Sequence, residues 1–352
     1  LKRLYKRCTP WKLRYLLHGL VGGAAHGLQT AWNDFNASVH AVRTVVDVVE
    51  ELPILPDVVQ TLAAADADLY IAPGVSEVAA MTAWYARSSR HPYVMLAGSD
   101  RDFSPNILND PDGRDAHGRP HALLRYVIRS AARHIVQNTN QLELARAFDV
   151  SAVLVPNPID LAPDYPAQPG ARQVLWVGNT EQTVKQPQIM LELARRLPEY
   201  EFVMIITPIQ PDAYAQIEQA AGRLPNLTVC SRIPYRQVEQ YFARARCLVN
   251  TSVYEGLPNT FLQAGKYRVP LLSLNVDPNG MLTQHNCGLL CGGDLQRLES
   301  HLRNLMTDDA LHGQLGTNLH AYVQEHHDQH KIIAQVEAIF RSALDQYAQV
   351  NR

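Results

Sequence analysis

Apolar runs alternate with helical patterns along most of the chain from residue 68 onward. In the first half, such runs predict four strands, at residues 68–72, 93–97, 134–137 and 152–156. Between them, the spacing of apolar positions predicts helices at residues 121–132 and 141–148. Strands that alternate with helices are typical of a parallel sheet covered by helices on both faces.

A second alternating series follows a segment in which five prolines, from Pro156 to Pro169, interrupt the pattern. This series predicts six strands, at residues 173–178, 201–206, 226–230, 247–250, 269–274 and 288–291. It also predicts helices at residues 187–196, 213–223 and 235–245, with two or three more towards the end of the chain.

The expected fold class is therefore α/β, with two Rossmann-like domains whose parallel sheets face a central cleft. We place the first domain at residues 1–165 and the second at residues 166–325. Residues 326–352 form a final helix that can return to the first domain. In open α/β sheets, ligands bind outside the carboxyl ends of the strands, so chemistry is expected there.

Composition narrows the class of protein. The 352 residues are 46% hydrophobic and 19% charged, which is typical of a soluble globular protein. A formal net charge of -2 gives no basic field for nucleic acid. Five cysteines are an odd number and do not suggest a disulfide framework, and Cys230 and Cys247 read as reduced core residues. No apolar run is long enough to span a bilayer, and we expect a cytoplasmic location.

The amino-terminal segment is basic and aromatic, and its first acid is Asp34. Six cations precede that residue: Lys2, Arg3, Lys6, Arg7, Lys12 and Arg14. One interpretation is a peripheral contact with anionic lipid at the inner face of a membrane. The other is a solvated basic helix.

Residues 254–274 carry the most informative pattern. Glu255 lies in a turn with Gly256, and Pro258 suits the start of a helix. The free N–H groups of a helix N-terminus beside a carboxylate form a natural place for a phosphorylated ligand. An apolar run of residues 269–274 follows.

A second candidate site lies upstream, where Gly178 and Asn179 end a predicted strand and Lys185 follows. A glycine at a strand end allows the backbone to approach a ligand closely. A lysine nearby supplies a point charge for phosphate. The pattern also predicts that Glu255 and Gln263 lie on neighbouring turns if the helix begins near Pro258.

Together these segments resemble the retaining glycosyltransferases of family 4, which have the two-domain GT-B fold. The similarity spans about residues 66–345. It is carried by an ordered set of motifs: Val-Leu-Trp-Val-Gly at 174–178, Lys185-Gln-Pro187, Glu-Gly-Leu-Pro-Asn at 255–259 and Asn275-Val-Asp-Pro-Asn-Gly280. In the first half, Asp66-Ala-Asp68, Ser99-Asp-Arg-Asp102 and Asn157-Pro-Ile-Asp160 resemble the same family.

The resemblance implies a role for each matching position. Lys185 matches a lysine that contacts the diphosphate of a nucleoside-diphosphate sugar, and Glu255 matches the acid that faces the donor sugar. We therefore expect Lys185 and Glu255 to act in catalysis. Donor binding is implied for the remaining matches: Gly178, Asn179, Arg232, Ile233, Gly256, Leu257, Pro258, Asn259, Thr260 and Gln263. Arg232 and Ile233 lie where the nucleobase packs, and Gln263 lies where the ribose is held.

Two positions depart from the family pattern. Asn179 stands where an arginine usually binds phosphate, so one bidentate contact is lost. Gln263 stands where a glutamate usually accepts hydrogen bonds from the ribose, so it keeps an acceptor oxygen without the charge. The family's amino-terminal glycine-rich loop is not recognisable, and the only candidate for it is Val21-Gly-Gly-Ala24.

The resemblance implies a retaining, metal-independent transfer of sugar from a nucleotide-sugar donor to a glycan or lipid-linked acceptor, in cell-surface polysaccharide or glycoconjugate synthesis. The nucleotide sugar is a co-substrate, and no further cofactor and no metal site are expected. The loss of charge at positions 179 and 263 leaves open a catalytically silent homologue that binds nucleotide sugar or glycan. A nucleotide-sugar epimerase on the same fold is a third hypothesis.

Several residues also have simpler structural readings. Lys185 could be an ordinary loop lysine, Glu255 an acid at a helix start, and Gln263 an exposed helical residue. The Asp100-Arg-Asp102 triplet reads as a polar turn after a strand. His326 and His330 are spaced for one helix face, which we interpret as an exposed polar face rather than a metal site. Cys287 and Cys291 read as ordinary thiols.

Overall fold

A computed structural model describes residues 56–168, 170, 172–231 and 233–350. The chain divides into two compact units between Val155 and Pro156 and again between Ile332 and Ile333. We call the part before residue 156, together with the end of the chain from residue 333, the first unit. Residues 156–332 form the second unit. The basic segment at residues 2–14 and the glycine pair at 22–23 lie outside the described residues, so the predicted membrane contact stays a prediction.

The first unit contains a four-stranded parallel sheet in which the strands lie in chain order. The strands are β1 (Tyr70–Pro73), β2 (Tyr93–Leu96), β3 (Arg133–Val136) and β4 (Ala152–Leu154). The helices of this unit that precede or connect them are α1 (Pro56–Ala65), α2 (Glu77–Ser88), α3 (Asn106–Asn109), α4 (His121–Ser130) and α5 (Thr139–Arg146). All four predicted strands of the first half are confirmed, as are the two predicted helices, with small shifts at their ends.

A buried carboxylate ties together two of the loops at the carboxyl edge of this sheet. Asp102 accepts hydrogen bonds from the backbone N–H groups of Val75, Gly98 and Ser99, at 3.2, 2.7 and 3.0 Å. Burial raises the pKa of Asp102, while these hydrogen bonds oppose the rise. The residue belongs to a 3-10 helix, Asp100–Phe103, with a capping box at Ser99. The reading of Asp100-Arg-Asp102 as a polar turn is therefore confirmed.

The second unit contains a six-stranded parallel sheet in the order β10-β9-β8-β5-β6-β7. Its strands are β5 (Gln173–Asn179), β6 (Glu201–Thr207), β7 (Leu227–Ser231), β8 (Ala245–Asn250), β9 (Leu271–Ser273) and β10 (Gly288–Leu290). Its helices are α6 (Pro187–Arg196), α7 (Pro211–Ala221), α8 (Tyr235–Phe242), α9 (Asn259–Lys266), α10 (Leu295–Thr307) and α11 (Asp309–His326). The last helix, α12 (Gln329–Val350), begins in this unit and continues into the first.

The strands of the second sheet are apolar on both faces because each face is covered by helices. On one face, Val174 and Trp176 of β5 pack with α6, α7 and α10 through residues such as Met190 and Leu302. On the other face, Leu175 packs with α8, α9 and α11 through residues such as Phe261. This double burial explains why the strands could be recognised as continuous apolar runs.

The helices on the second face pack unusually closely. A Cβ atom on Gly265 of α9 would lie 2.5 Å from a methyl group of Val323 on α11, so a side chain at this position has no room. His320 of α11 also contacts the carbonyl oxygen of Gly265 through Nδ1, at 2.9 Å. Helix α11 thereby fixes the position of α9 against the sheet.

The proline-rich segment after Val155 packs on the second unit. The backbone N–H of Tyr165 donates to the hydroxyl of Tyr267 at 3.3 Å, and that of Gln168 donates to the carbonyl of Ala243 at 2.8 Å. Tyr267 belongs to a buried cluster, because its hydroxyl donates to Glu239 at 2.8 Å. Burial and this hydrogen bond raise the pKa of Tyr267.

The histidine pattern near the end of the chain differs from the prediction. His326 and His330 do not share a helix face, because α11 ends at His326 and α12 begins only at Gln329. Both are exposed, whereas His327 between them is 1% exposed. Within the described residues, no group of three or more His, Cys, Asp or Glu side chains could hold a metal ion.

Cys287 and Cys291 are free, buried thiols, as predicted, and burial raises the pKa of each to about 12. Cys247 is likewise free and fully buried, whereas Cys230 is free and half-buried. In the described part of the chain, no helix is both long and apolar enough to cross a membrane.

The buried ion pair between Lys266 and Glu239 provides a test of this packing. Lys266 Nζ lies 2.9 and 2.7 Å from the two oxygens of Glu239, and the side chains are 3% and 7% exposed. We expect Lys266→Met to destabilise the second unit by about 3–5 kcal/mol, because the charge of Glu239 is left buried without its partner. The midpoint of urea unfolding measures this effect.

The control is Arg303→Met, which removes one partner of the exposed pair with Glu199 and is expected to change the midpoint little. Adding Glu239→Gln to Lys266→Met should recover part of the loss, since no uncompensated charge then remains. A midpoint for Lys266→Met equal to that of the control would contradict this account.

Candidate functional site

The order of strands in the second sheet determines where the site lies. Strand β5 is flanked by β6 on one side and by β8 on the other, so the chain winds in opposite directions from this point. The loops that leave the carboxyl ends of β5 and β8 therefore diverge and leave a crevice between them. The loop after β5 carries Lys185, and the loop after β8 carries Glu255.

These two predicted catalytic residues are in direct contact. Lys185 Nζ lies 2.6 Å from Glu255 Oε2, although the residues are 70 positions apart in the sequence. The side chains are 22% and 16% exposed, so each charge is only partly solvated. Lys185 therefore forms an ion pair across the two loops, and its role in catalysis stays a prediction.

Glu255 is held by two further donors on its other oxygen. Asn250 Nδ2 and Ser252 Oγ donate to Oε1 at 2.8 and 2.7 Å. Asn250 also accepts a hydrogen bond from the backbone N–H of Ser252 at 3.2 Å, which fixes its amide orientation. The carboxylate is thus oriented by neutral donors even when Lys185 has another partner.

A buried hydroxyl connects the two loops beneath this pair. Thr251 is fully buried, and its Oγ1 donates to the carbonyl oxygen of Lys185 at 2.6 Å. Thr251 Oγ1 also accepts a hydrogen bond from Trp176 Nε1 at 2.9 Å. The backbone N–H of Val253 donates to the carbonyl of Val184 at 2.8 Å, so the loops are joined at a second point.

The backbone after Lys185 turns sharply into α6. Gln186 has a φ of 48°, in the left-handed region, and Pro187 is the first residue of the helix. Proline suits that position because its missing N–H would have had no partner within the helix. Lys185 thus directly precedes Gln186, the N-cap residue of α6.

Gly178 and Asn179 end β5, as predicted, and the structure gives a reason for the glycine. A Cβ atom on Gly178 would lie 2.6 Å from the indole ring of Trp176, so a larger residue would displace that ring. Asn179 Oδ1 accepts from the backbone N–H of Glu181 at 2.9 Å. This side-chain oxygen is therefore used to shape the loop.

The Glu-Gly-Leu-Pro-Asn motif forms a loop followed by helix α9. Gly256, Leu257 and Pro258 are buried, and Pro258 is the N-cap residue. The helix begins at Asn259, four residues after Glu255, so Glu255 is not an acid of the first helical turn as its simpler reading supposed. No side-chain hydrogen bond of the described residues caps this helix, and the N–H groups near Asn259 and Thr260 retain their positive partial charge.

Gln263 lies on α9 and is 3% exposed, so its interpretation as an exposed helical residue is wrong. Its Nε2 atom has no hydrogen-bond partner among the described residues. A buried amide donor without a partner costs about 1–3 kcal/mol, which distinguishes Gln263 from the other residues of the site. Asn259 and Gln263 are spaced for the same face of α9.

The predicted nucleobase contacts are only partly covered by the structure. Arg232 lies outside the described residues. Ile233 is half-buried and follows β7, which is two strands from β5 in the sheet. Two inter-strand spacings amount to about 10 Å, a separation that an extended nucleotide can bridge.

Four residues of the site were not assigned a role from the sequence: Asn250, Thr251 and Ser252, and Asn275, whose Nδ2 donates to the carbonyl of Ser252 at 3.4 Å. A signal was present for the first three. They are consecutive polar residues at the end of an apolar strand, where the fold predicts a ligand site.

Residues 171–308 match the family model described as "Glycosyl transferases group 1". The resemblance to glycosyltransferases is thereby confirmed at this level, while the narrower assignment to family 4 stays a prediction. The match includes all of β5 to α9, and it covers less than half of the chain.

A curated relative is similar to part of the chain. It is "Glycosyltransferase 1 domain-containing protein 1" of Xenopus tropicalis, which is 25% identical over 148 residues. The alignment covers 41% of this chain and 43% of the relative, so the chain spans less than half the length of that protein.

Two solved structures show the fold. Sucrose-phosphate synthase from Thermosynechococcus elongatus is 17% identical with a TM-score of 0.64, and the alignment covers 83% of this chain and 78% of that one. A TarM mutant from S. aureus, in complex with fondaparinux, alpha-GlcNAc-glycerol and UDP, is 14% identical with a TM-score of 0.60. That alignment covers 80% of this chain and 58% of TarM. The predicted GT-B fold class is confirmed.

The network beneath the site gives a testable prediction. We expect Thr251→Val to destabilise the second unit by about 1–3 kcal/mol, because the buried N–H of Trp176 loses its acceptor. Valine has a similar shape, so the loss reports the hydroxyl rather than a cavity. Urea unfolding followed by tryptophan fluorescence measures it. Thr251→Ser keeps the hydroxyl and is the control; equal destabilisation by both variants would contradict the assignment.

Proposed function

We propose that this protein is a retaining glycosyltransferase that moves a sugar from a nucleoside-diphosphate sugar to a glycan or lipid-linked acceptor. The observation that carries the proposal is the contact between Lys185 and Glu255 at the crevice between β5 and β8. It lies within the segment that matches the group 1 glycosyltransferases.

The leaving group of such a reaction is a diphosphate on which negative charge accumulates. Lys185 can transfer its contact from Glu255 to a phosphate oxygen, and the N-termini of α6 and α9 add positive partial charge nearby. Groups that are already oriented towards the developing charge lower the barrier, since little reorganisation is needed.

In this proposal Glu255 interacts with the sugar of the donor. After Lys185 turns to phosphate, Asn250 and Ser252 still hold one oxygen of the carboxylate, and Oε2 becomes available. In this proposal that oxygen accepts a hydrogen bond from a sugar hydroxyl and stabilises positive charge near the anomeric carbon. Orientation of the sugar in this way favours attack by the acceptor hydroxyl.

Gln263 and Ile233 complete the donor site in the proposal. The unpartnered Nε2 of Gln263 would donate to the ribose, while the half-buried Ile233, which follows β7, would contact the nucleobase. The acceptor and the pathway, including polysaccharide synthesis, follow from the resemblance alone. Transfer without a metal is part of the same proposal.

A catalytically silent binding protein is the second candidate. The observation in its favour is that Asn179, which replaces a phosphate-binding arginine of the family pattern, uses its Oδ1 to shape its own loop. Only one cationic side chain among the predicted donor residues that the structure describes, Lys185, then remains for the diphosphate. Tight binding of a nucleotide sugar without turnover would identify this alternative.

Two substitutions separate binding from chemistry. We expect Lys185→Met to weaken binding of a nucleoside diphosphate about ten- to a hundredfold, because a charge-assisted hydrogen bond is lost, and to leave nucleoside binding unchanged. We expect Glu255→Gln to lower kcat about a hundredfold or more with the diphosphate affinity retained.

A thermal-shift screen of nucleotide sugars identifies the donor, since a ligand that binds only the folded state raises the melting temperature. Calorimetry and a transfer assay then measure the two variants. Lys331→Met and Glu325→Gln, at exposed positions, are the matched controls. Undiminished transfer by Glu255→Gln would overturn the proposal.

A further inference from the structure

Two segments of the second unit continue into the first unit, and they are joined to each other. The backbone N–H of Ile159 donates to the carbonyl of His327 at 2.9 Å. The backbone N–H of Gln329 donates in return to the carbonyl of Ile159 at 3.2 Å. Ile159 and Asp328 thus form a parallel bridge between the two segments, residues 156–160 and 327–332.

A buried imidazole adds a third bond to this junction. His327 Nδ1 lies 2.8 Å from the carbonyl oxygen of Asn157. Burial lowers the pKa of His327 to about 4, with a smaller opposing effect from this hydrogen bond. The ring is therefore neutral at pH 7, and the nitrogen that faces a carbonyl must carry the proton and donate it.

The same asparagine reaches the candidate donor site with its side chain. Asn157 Nδ2 donates to Asn259 Oδ1 at 3.0 Å. Asn259 is the first residue of α9, which begins with N–H groups that no described side chain caps. A continuous chain of hydrogen bonds thus runs from His327 through Asn157 to the N-terminus of α9.

The bond to Asn157 has a consequence for that N-terminus. Asn259 is the first residue inside α9 and follows the N-cap residue Pro258, so it does not occupy the position from which a side chain usually caps a helix. Its side-chain oxygen accepts from Asn157, and the N–H groups of the first turn stay available to an anion. The contact also fixes the direction in which α9 presents them.

We propose that Asn157 is a positioning residue: acting through Asn259, it fixes the orientation in which the N-terminus of α9 faces the donor diphosphate and couples it to the two joined segments. This inference rests on the proposed function, because it assigns the anion at α9 to a nucleoside diphosphate. Asn157 itself acts without touching the ligand.

A double-mutant cycle on the affinity for UDP, with GDP and ADP as further probes, tests this role. We expect Asn157→Ala to weaken UDP binding about fivefold, the equivalent of one neutral hydrogen bond. Asn259→Ala should weaken it at least as much. If Asn157 acts only through Asn259, the double variant binds UDP no more weakly than Asn259→Ala alone.

The matched control is Asn318→Ala, which also removes a half-buried asparagine that donates one hydrogen bond, to the carbonyl of Asn286 at 3.1 Å. It should leave UDP affinity unchanged. With the nucleotide sugar that the wild type turns over, Asn157→Ala should raise KM and leave kcat nearly unchanged. Additive losses in the cycle, or an effect equal to that of Asn318→Ala, would overturn the proposal.

A readout without nucleotide separates this inference from the proposed function. In the free protein, Asn259→Ala should speed hydrogen exchange at the amides of Ile159 and Gln329 about fivefold, because the series of hydrogen bonds from His327 through Asn157 loses its last acceptor. Unchanged exchange at these amides rejects the coupling. Absence of nucleotide binding by the wild type instead rejects the proposed function and the assignment of the anion.

Discussion

The ion pair between Lys185 and Glu255 depends on one constraint, the reversal of strand order at β5. Loops that leave neighbouring strands in opposite winding directions leave a crevice, and the two charges meet at its base. Each partner compensates the charge of the other. In the proposed function a diphosphate offers Lys185 a second anionic partner, and Glu255 then keeps the neutral donors Asn250 and Ser252.

The residues around the ion pair hold the two loops and Glu255 in place without relying on the side chain of Lys185. Trp176, Thr251 and the carbonyl of Lys185 form a buried hydrogen-bonded chain that ties the two loops together. Asn250 and Ser252 orient Glu255 independently of the lysine. A side chain can therefore change partner while the backbone stays fixed, which is the arrangement expected of a preorganised site.

Much of the fold could be predicted because both faces of the second sheet are buried, which turns each strand into a short continuous apolar run. Helix α6 was predicted with its observed ends, since Pro187 marks its start and its apolar stripe is regular. The site was harder to predict. Lys185 and Glu255 could be named as candidates, but their contact depends on β5 and β8 being neighbours, and strand order is not encoded in local periodicity.

The failures have equally physical causes. His326 and His330 have the spacing of one helix face, but the helix is interrupted between them, where Asp328 forms a bridge with Ile159. Gln263 looked suited to an exposed position because amides usually face water, yet it is 3% exposed on α9. Thr251 carried only the general signal of a polar residue at the end of an apolar strand, because its specific contact is with a tryptophan 75 residues away.

The most direct test of the central claim is a crystal structure of the chain with the nucleoside diphosphate that gives the largest thermal shift. The account predicts a phosphate oxygen within hydrogen-bonding distance of Lys185 Nζ and of the first N–H groups of α9. It also predicts that the contact between Lys185 and Glu255 lengthens, while Asn250 and Ser252 remain on the carboxylate. A nucleotide bound away from the crevice, with Lys185 still paired to Glu255, would contradict it.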